Sequence, residues 1–218
     1  GVDHEYLGSL SVSRNIVFKS IRCEDWKNKK ILGTISRLSP EKGILNLLSA
    51  FSKIIPTMDD LRLIIVGGCP AEYRDYHATV KDFIEQENLT EHVRILGYQQ
   101  DAVKILKCMD FYVSSSLSEG LPISVLEACA SGIPTVATEI TGNKDILRNS
   151  VFGVLTESGS AQNISGGILK MARMTKKERA ILARNALNRI KTHFSIEEMT
   201  TKTSLLYNQI LDKKKRNL

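Results

Sequence analysis

The sequence predicts an α/β domain built on a doubly wound parallel sheet of about six strands, with extra helices at its C-terminal end. Three observations carry that reading. From residue 31 short β-rich runs alternate with stretches of helical period, six times in succession, and consecutive parallel strands need a crossover helix between them. Several runs, LRLIIVGG (61–68) foremost, are nearly continuous in apolar residues, as strands covered on both faces are. The 218 residues, 42% hydrophobic and 25% charged, suffice for one such domain and a sizeable core. The predicted arrangement is Rossmann-like.

Residues 1–30 show no clear period and read as an interdomain hinge or a partly ordered arm. The first unit is ILGTISR (31–37) followed by the amphipathic GILNLLSAFSKII (43–55), whose apolar positions recur at helical spacing. LRLIIVGG precedes EYRDYHATVKDFIEQEN (72–88), VRILGY (93–98) leads to DAVKILKCM (101–109), and FYVSSSL (111–117) leads to LPISVLEACAS (121–131). PTVATEI (134–140) comes with a short helix near 143–149, and FGVLTE (152–157) with one near 161–174. After residue 174 the pattern is wholly helical. Thr175 with Glu178 and Ser195 with Glu198 have capping-box spacing and mark two helix starts. The chain therefore divides into residues 1–30, a sheet domain over 31–194, and a closing helix with a basic tail over 195–218.

The net charge of +6 is unevenly placed. Residues 168–218 hold 13 Lys/Arg against 4 Asp/Glu, leaving 17 against 20 for residues 1–167. Solvated helix faces account for most of this excess, and the terminal KKKR (213–216) reads either as a frayed end or as a peripheral contact with an anionic membrane surface. Nucleic acid is not the expected partner, because no aromatic residues interleave the charges and no recognition motif accompanies them. No apolar run approaches the roughly 18–20 residues of a membrane span, and no signal peptide is expected. Cys23, Cys69, Cys108 and Cys129 form no CxxC or CxxH spacing and read as reduced core thiols of a cytoplasmic protein. Opening on Gly1-Val2-Asp3 without an initiator Met, the chain reads as a piece of something longer.

In a doubly wound sheet, ligands bind where loops gather at the carboxyl ends of the strands. The loop after the first strand reads SRLSPEKG. Arg37 and Lys42, a fork-shaped and a compact cation beside a helix start, suit a phosphate or diphosphate; on the pair alone, two exposed basic residues on a turn serve equally well. The loop after the fourth strand opens LSEGLPISVLEACASG (117–132). Gly120 permits close backbone approach, Pro122 fits a first helical turn, and Gly132 with Pro134 stops the helix, so a helix is expected from about Leu121 to Ser131. Because Pro122 has no N–H, the donors at this helix mouth are the amides of Gly120, Leu121 and Ile123. Glu119 precedes the helix, where its dipole favours an anion, and Glu127 lies two turns inside. Eight helical residues rise roughly 12 Å, enough for the two carboxylates to reach both ends of one elongated ligand. The plainer alternative makes Glu119 a dipole partner and Glu127 a surface residue, but Val125, Leu126, Ala128 and Ala130 leave Glu127 little room facing solvent. A half-buried carboxylate suits a vicinal diol such as that of ribose.

These stretches resemble the C-terminal, nucleotide-sugar donor-binding domain of retaining glycosyltransferases of the GT-B fold, family 4. SEGLPISVLEACASGIPTVAT is similar to that family's E-x7-E signature and following strand, ILGTISRLSPEKGILNLLSAF to its Arg/Lys phosphate loop, and HFSIEEMTTKTSLLYNQIL to its closing helix. Gly1-Val2-Asp3 is similar to the end of the family's Asn-Gly-Val-Asp hinge. The resemblance implies one half of a GT-B fold, with the N-terminal acceptor domain absent. It implies that Arg37 and Lys42 hold the donor diphosphate without a metal or other cofactor, that Glu127 holds the ribose and Glu119 the transferred sugar, and that Leu96, Gly97 and Tyr98 lie near the base. The implied reaction moves a hexose-type sugar from a UDP- or GDP-linked donor to a glycan or lipid-linked acceptor with retention, in bacterial surface polysaccharide or glycolipid synthesis, with little or no transfer by this half alone. Two departures stand out: Ser36 where a glycine is usual, and Thr141-Gly142-Asn143-Lys144-Asp145 in place of Gly-Gly-x-x-Glu. The rivals are a nucleotide-sugar 2-epimerase of the same fold, which would need acid and base residues in this half, and a non-catalytic nucleotide-sugar-binding module. The histidines, His4, His77, His92 and His193, do not sit at strand ends with partners.

Overall fold

The computed structural model describes residues 1–148 and 151–216, with side chains as far as residue 213. Two short helices lead in, α1 (His4–Ser9) and α2 (Arg14–Ser20), followed by a 3-10 turn at Glu24–Trp26. Then come β1 (Lys30–Ile35), α3 (Ile44–Ile54), β2 (Leu61–Val66), α4 (Arg74–Gln86), β3 (Val93–Ile95) and α5 (Ala102–Leu106). The second half continues with β4 (Phe111–Ser114), α6 (Ile123–Ala130), β5 (Thr135–Thr138), α7 (Thr141–Leu147) and β6 (Val154–Thr156). Three helices close the chain: α8 (Ala161–Arg173), α9 (Lys176–His193) and α10 (Ile196–Arg216).

The six strands are all parallel in the order β3-β2-β1-β4-β5-β6, so the direction of winding reverses between β1 and β4. Alternate residues of each strand feed two cores. Ile31, Ile64 and Tyr112 join α1, α2, α5, α6 and α9 on one face, while Leu32, Leu63, Ile65 and Phe111 join α3, α4 and α8 on the other. Helix α3 shows why the second layer holds: Ile44, Leu47, Leu48, Phe51 and Ile54 recur on one stripe and are all fully buried, each contributing about 1.5–3 kcal/mol.

β1 pairs with β2 over six positions but with β4 over only two, Leu32↔Phe111 and Gly33↔Tyr112. Both strands continue past that ladder. Tyr112 reaches across the gap, its hydroxyl within hydrogen-bond distance of the Ile35 carbonyl oxygen (3.2 Å) and the Ser124 hydroxyl (2.9 Å).

Residues 1–30, read as an interdomain hinge or a partly ordered arm, pack against the sheet. Leu7, Val17, Phe18, Cys23 and Trp26 are buried in the first core, and the segments between them are too short for a helical period to show. Arg94 of β3 lies 4.3 Å from the Trp26 ring centroid and bonds Asp25 at 2.8 Å, tying the segment to the sheet. Helix α6 begins two residues later than expected, because Pro122 is extended (φ −73°, ψ 107°) and serves as the cap rather than the first turn. The Thr175–Glu178 box is present in full. At Ser195 only half of one forms: its hydroxyl accepts from the Glu198 amide (3.1 Å), while the Glu198 carboxylate pairs with Lys202 (3.0 Å). The four cysteines are free, and burial pushes the Cys108 thiol up to about 11 and that of Cys129 to about 12. Among the described residues no helix is long and apolar enough to cross a membrane. The basic cluster at 213–216 lies mostly outside the residues whose side chains are described.

Candidate functional site

The loop after β1 is shaped by backbone bonds. Ser36 N donates to Val66 O (2.9 Å) and Leu38 N to Gly68 O (2.9 Å), burying Leu38 and turning Arg37 outward. A 3-10 turn, Pro40–Lys42, follows, and Gly43 then takes a left-handed conformation (φ 63°) before α3 begins. A Cβ on Gly43 would collide with the carbonyl of Ser115, so only glycine lets the loops after β1 and β4 meet here. They are fastened on both sides of that contact: Ser115 Oγ donates to Lys42 O (2.9 Å) and Leu117 N to Glu41 O (2.8 Å).

Lys42 Nζ thus lies 2.6 Å from Glu119 Oε1, with side chains only 15% and 18% exposed. Ser116 Oγ donates to the same carboxylate oxygen at 2.9 Å. Arg37 is 3.4 Å from Glu41, whose carboxyl is held below its usual range chiefly by the Ser39 hydroxyl. Arg37, Lys42 and Glu119 share one recess of about 160 Å³ at the switch point, floored by Thr34, Ile35, Tyr112 and Ser124.

The other expected site residues stand around this recess rather than in its wall. Glu127 lies one turn beyond Ser124 on α6, half-buried, and burial pushes its carboxyl above the ordinary range. Among the described residues its carboxylate has no hydrogen-bond or ion-pair partner, while its backbone carbonyl accepts from Ser131 N (2.8 Å). The Tyr112 phenol is raised mainly by burial, against the lowering effect of its hydrogen bond with Ser124. Since only residues 123–127 of the stretch between the two glutamates are helical, the eight-residue helical rise does not apply. Gly120, Leu121 and Ile123 form the mouth of α6, and among the described residues their amides donate to no protein acceptor. Gly97 is left-handed (φ 66°), and its carbonyl accepts from Gly67 N (2.8 Å), bringing the loop after β3 toward that after β2. Tyr98 beside it is 78% exposed.

Sequence reasoning passed over Tyr112, Ser115, Ser116 and Ser124. The run Ser114-Ser115-Ser116, three hydroxyls at the carboxyl end of a strand, was an available signal; Tyr112 lay inside a run read only as a strand. At the first departure, the Ser36 hydroxyl is buried without a partner. At the second, α7 starts so close to the loop after β4 that a Cβ on Gly142 would overlap the Gly120 carbonyl and lie 2.7 Å from Pro122 Cδ. None of the histidines lines the recess; His92 bonds Asp59 (3.1 Å) on the far side of the sheet domain's loops.

A parallel sheet with its recess at the winding reversal defines the class as a Rossmann-like α/β unit. The family model for glycosyl transferases group 1 matches residues 19–189, and the chain belongs to that family. It is similar to UDP-Gal:alpha-D-GlcNAc-diphosphoundecaprenol alpha-1,3-galactosyltransferase of Escherichia coli, 29% identical over 183 residues that make up 83% of this chain and 46% of that protein. In structure it is similar to a glycosyltransferase from Rickettsia africae (TM-score 0.87, 24% identity, 97% of this chain and 56% of the other). It is also similar to HepE of Anabaena in complex with UDP (TM-score 0.86, 23% identity, 96% and 56%). These are GT-B glycosyltransferases, and the fold here is that of one half of them. The chain spans about half the length of the curated relatives it matches.

Proposed function

We propose that the chain is the donor-binding half of a retaining glycosyltransferase that moves a hexose-type sugar from a UDP- or GDP-linked donor to a glycan or lipid-linked acceptor in bacterial surface polysaccharide or glycolipid synthesis. The observation that carries this reading is the single recess at the β1/β4 switch point that holds Arg37, Lys42 and Glu119 together. Arg37 and Lys42 grip the diphosphate and stabilise the charge that develops as it leaves, in place of a divalent metal. The amides of Gly120, Leu121 and Ile123 add donors at the positive end of α6. Glu127 accepts from the ribose hydroxyls, Gly97 with its neighbours borders the base, and Glu119 turns from Lys42 to the sugar. Acceptor recognition belongs to the other half of the whole protein, so this half transfers little or nothing alone. A lipid-linked acceptor places the work on the inner face of a membrane.

The test is calorimetric titration of the chain with UDP and GDP, alongside Lys42→Ala and Glu127→Ala. Each substitution removes a charged hydrogen bond worth about 1.5–3 kcal/mol, so affinity is expected to fall about ten- to a hundredfold. Unchanged affinity in both variants removes the assignment.

A further inference from the structure

Glu119 is held from behind by a run of buried residues. Ser116 supplies its nearest hydroxyl, and the Ser116 carbonyl in turn accepts from Thr138 Oγ1 at 2.5 Å. Thr138 is fully buried at the end of β5. The Asn143 amide, also fully buried in α7, donates to the Thr138 carbonyl (2.9 Å) and lies 3.4 Å from its hydroxyl oxygen. Asn143 thus fixes Thr138 at the end of β5, Thr138 fixes the Ser116 backbone through its carbonyl, and the Ser116 hydroxyl, a separate atom, reaches the carboxylate that Lys42 faces. The same helix start also presses on the other flank of Glu119, through Gly142 against Gly120 and Pro122.

We infer that Thr138 and Asn143 are positioning residues for Glu119, fixing the loop at Ser116 so that the carboxylate meets Lys42. This placement is independent of any ligand; its consequence for donor binding rests on the function proposed above.

The test is a double-mutant cycle on Lys42→Met and Glu119→Gln, read by urea unfolding of the full chain, in the parent, Thr138→Val and Thr138→Ser backgrounds. Val keeps the shape and deletes the hydroxyl; Ser restores it. The Lys42–Glu119 coupling constant is expected to fall about fivefold or more with Thr138→Val and to return with Thr138→Ser. Asn143→Ala, which deletes the donor at the head of the chain, is expected to act like Thr138→Val, so the test does not hang on one variant folding. Ser165→Ala, another buried hydroxyl, on α8, should destabilise without altering the coupling. Coupling unchanged by Thr138→Val or Asn143→Ala, or lowered equally by Ser165→Ala, overturns the inference. Titration with UDP and GDP then separates the two readings. If the parent binds, Thr138→Val should weaken binding and Thr138→Ser restore it; if the parent binds neither nucleotide, the donor-site assignment falls while the cycle still decides the positioning.

Discussion

Lys42 Nζ and Glu119 Oε1 stand 2.6 Å apart across the junction of two loops 77 residues apart in sequence. Both side chains are largely withdrawn from water, so removing one leaves the other desolvated and short of a partner. Lys42→Met is expected to cost about 1–3 kcal/mol in urea unfolding, short of a fully buried pair because Ser116 still donates to Glu119. The exposed pair Lys202–Glu198 (3.0 Å) is the comparison, and Lys202→Met there should cost about 0.5 kcal/mol or less. Equal losses at the two sites would contradict the withdrawal of the first.

Glu127 should make stability and binding pull in opposite directions. Its carboxyl is raised by burial, so the folded chain holds that proton more tightly than the unfolded chain does. The resulting stabilisation is complete below the unfolded value of about 4.3 and is lost as pH rises through the folded value. Glu127→Gln should therefore unfold at higher urea than the parent at pH 7, with the gap closing toward pH 4, while its affinity for nucleotide falls. A variant less stable than the parent at pH 7 would mean that Glu127 has a compensating partner.

Gly43→Ala is expected to destabilise by about 1–3 kcal/mol, because the left-handed conformation is strained for alanine and its Cβ meets the Ser115 carbonyl. Gly159→Ala is the control: its φ is 77° but nothing lies within 4 Å of the added carbon, so only the conformational part of the cost remains. Thermal or urea unfolding of the two variants separates collision from strain.

Phe18 has no exposed surface and lies in the first core beside residues of α5 and the sheet. Phe18→Ala should cost about 3–5 kcal/mol and lower the midpoint of a single unfolding transition. A separate early transition for residues 1–30 would show that they do not share the core of the sheet domain.

The sheet was legible because each strand reads as an apolar run and each crossover as a helical period, which are properties of neighbouring residues. Arg37, Lys42 and Glu119 were legible because strand-end loops are few. What stayed hidden depends on the third dimension. α1 and α2 are too short for a period to register, although Leu7 and Phe18 are buried. Pro122 can open a helix or cap one, and here it is extended where Gly120 and its own ring lie close against Gly142. The pairing of Lys42 with Glu119 comes from the meeting of Gly43 with Ser115, which no local pattern announces.

The short ladder between β1 and β4 has a lasting consequence for how such a protein can change. The hollow beneath Arg37 and Lys42 exists because hydrogen bonding between two neighbouring strands ends early, with a tyrosine bracing the split. Its depth is thus a property of the main chain. Substitutions along the rim can retune what is held there over evolutionary time, while the notch itself survives unless the strands are re-registered.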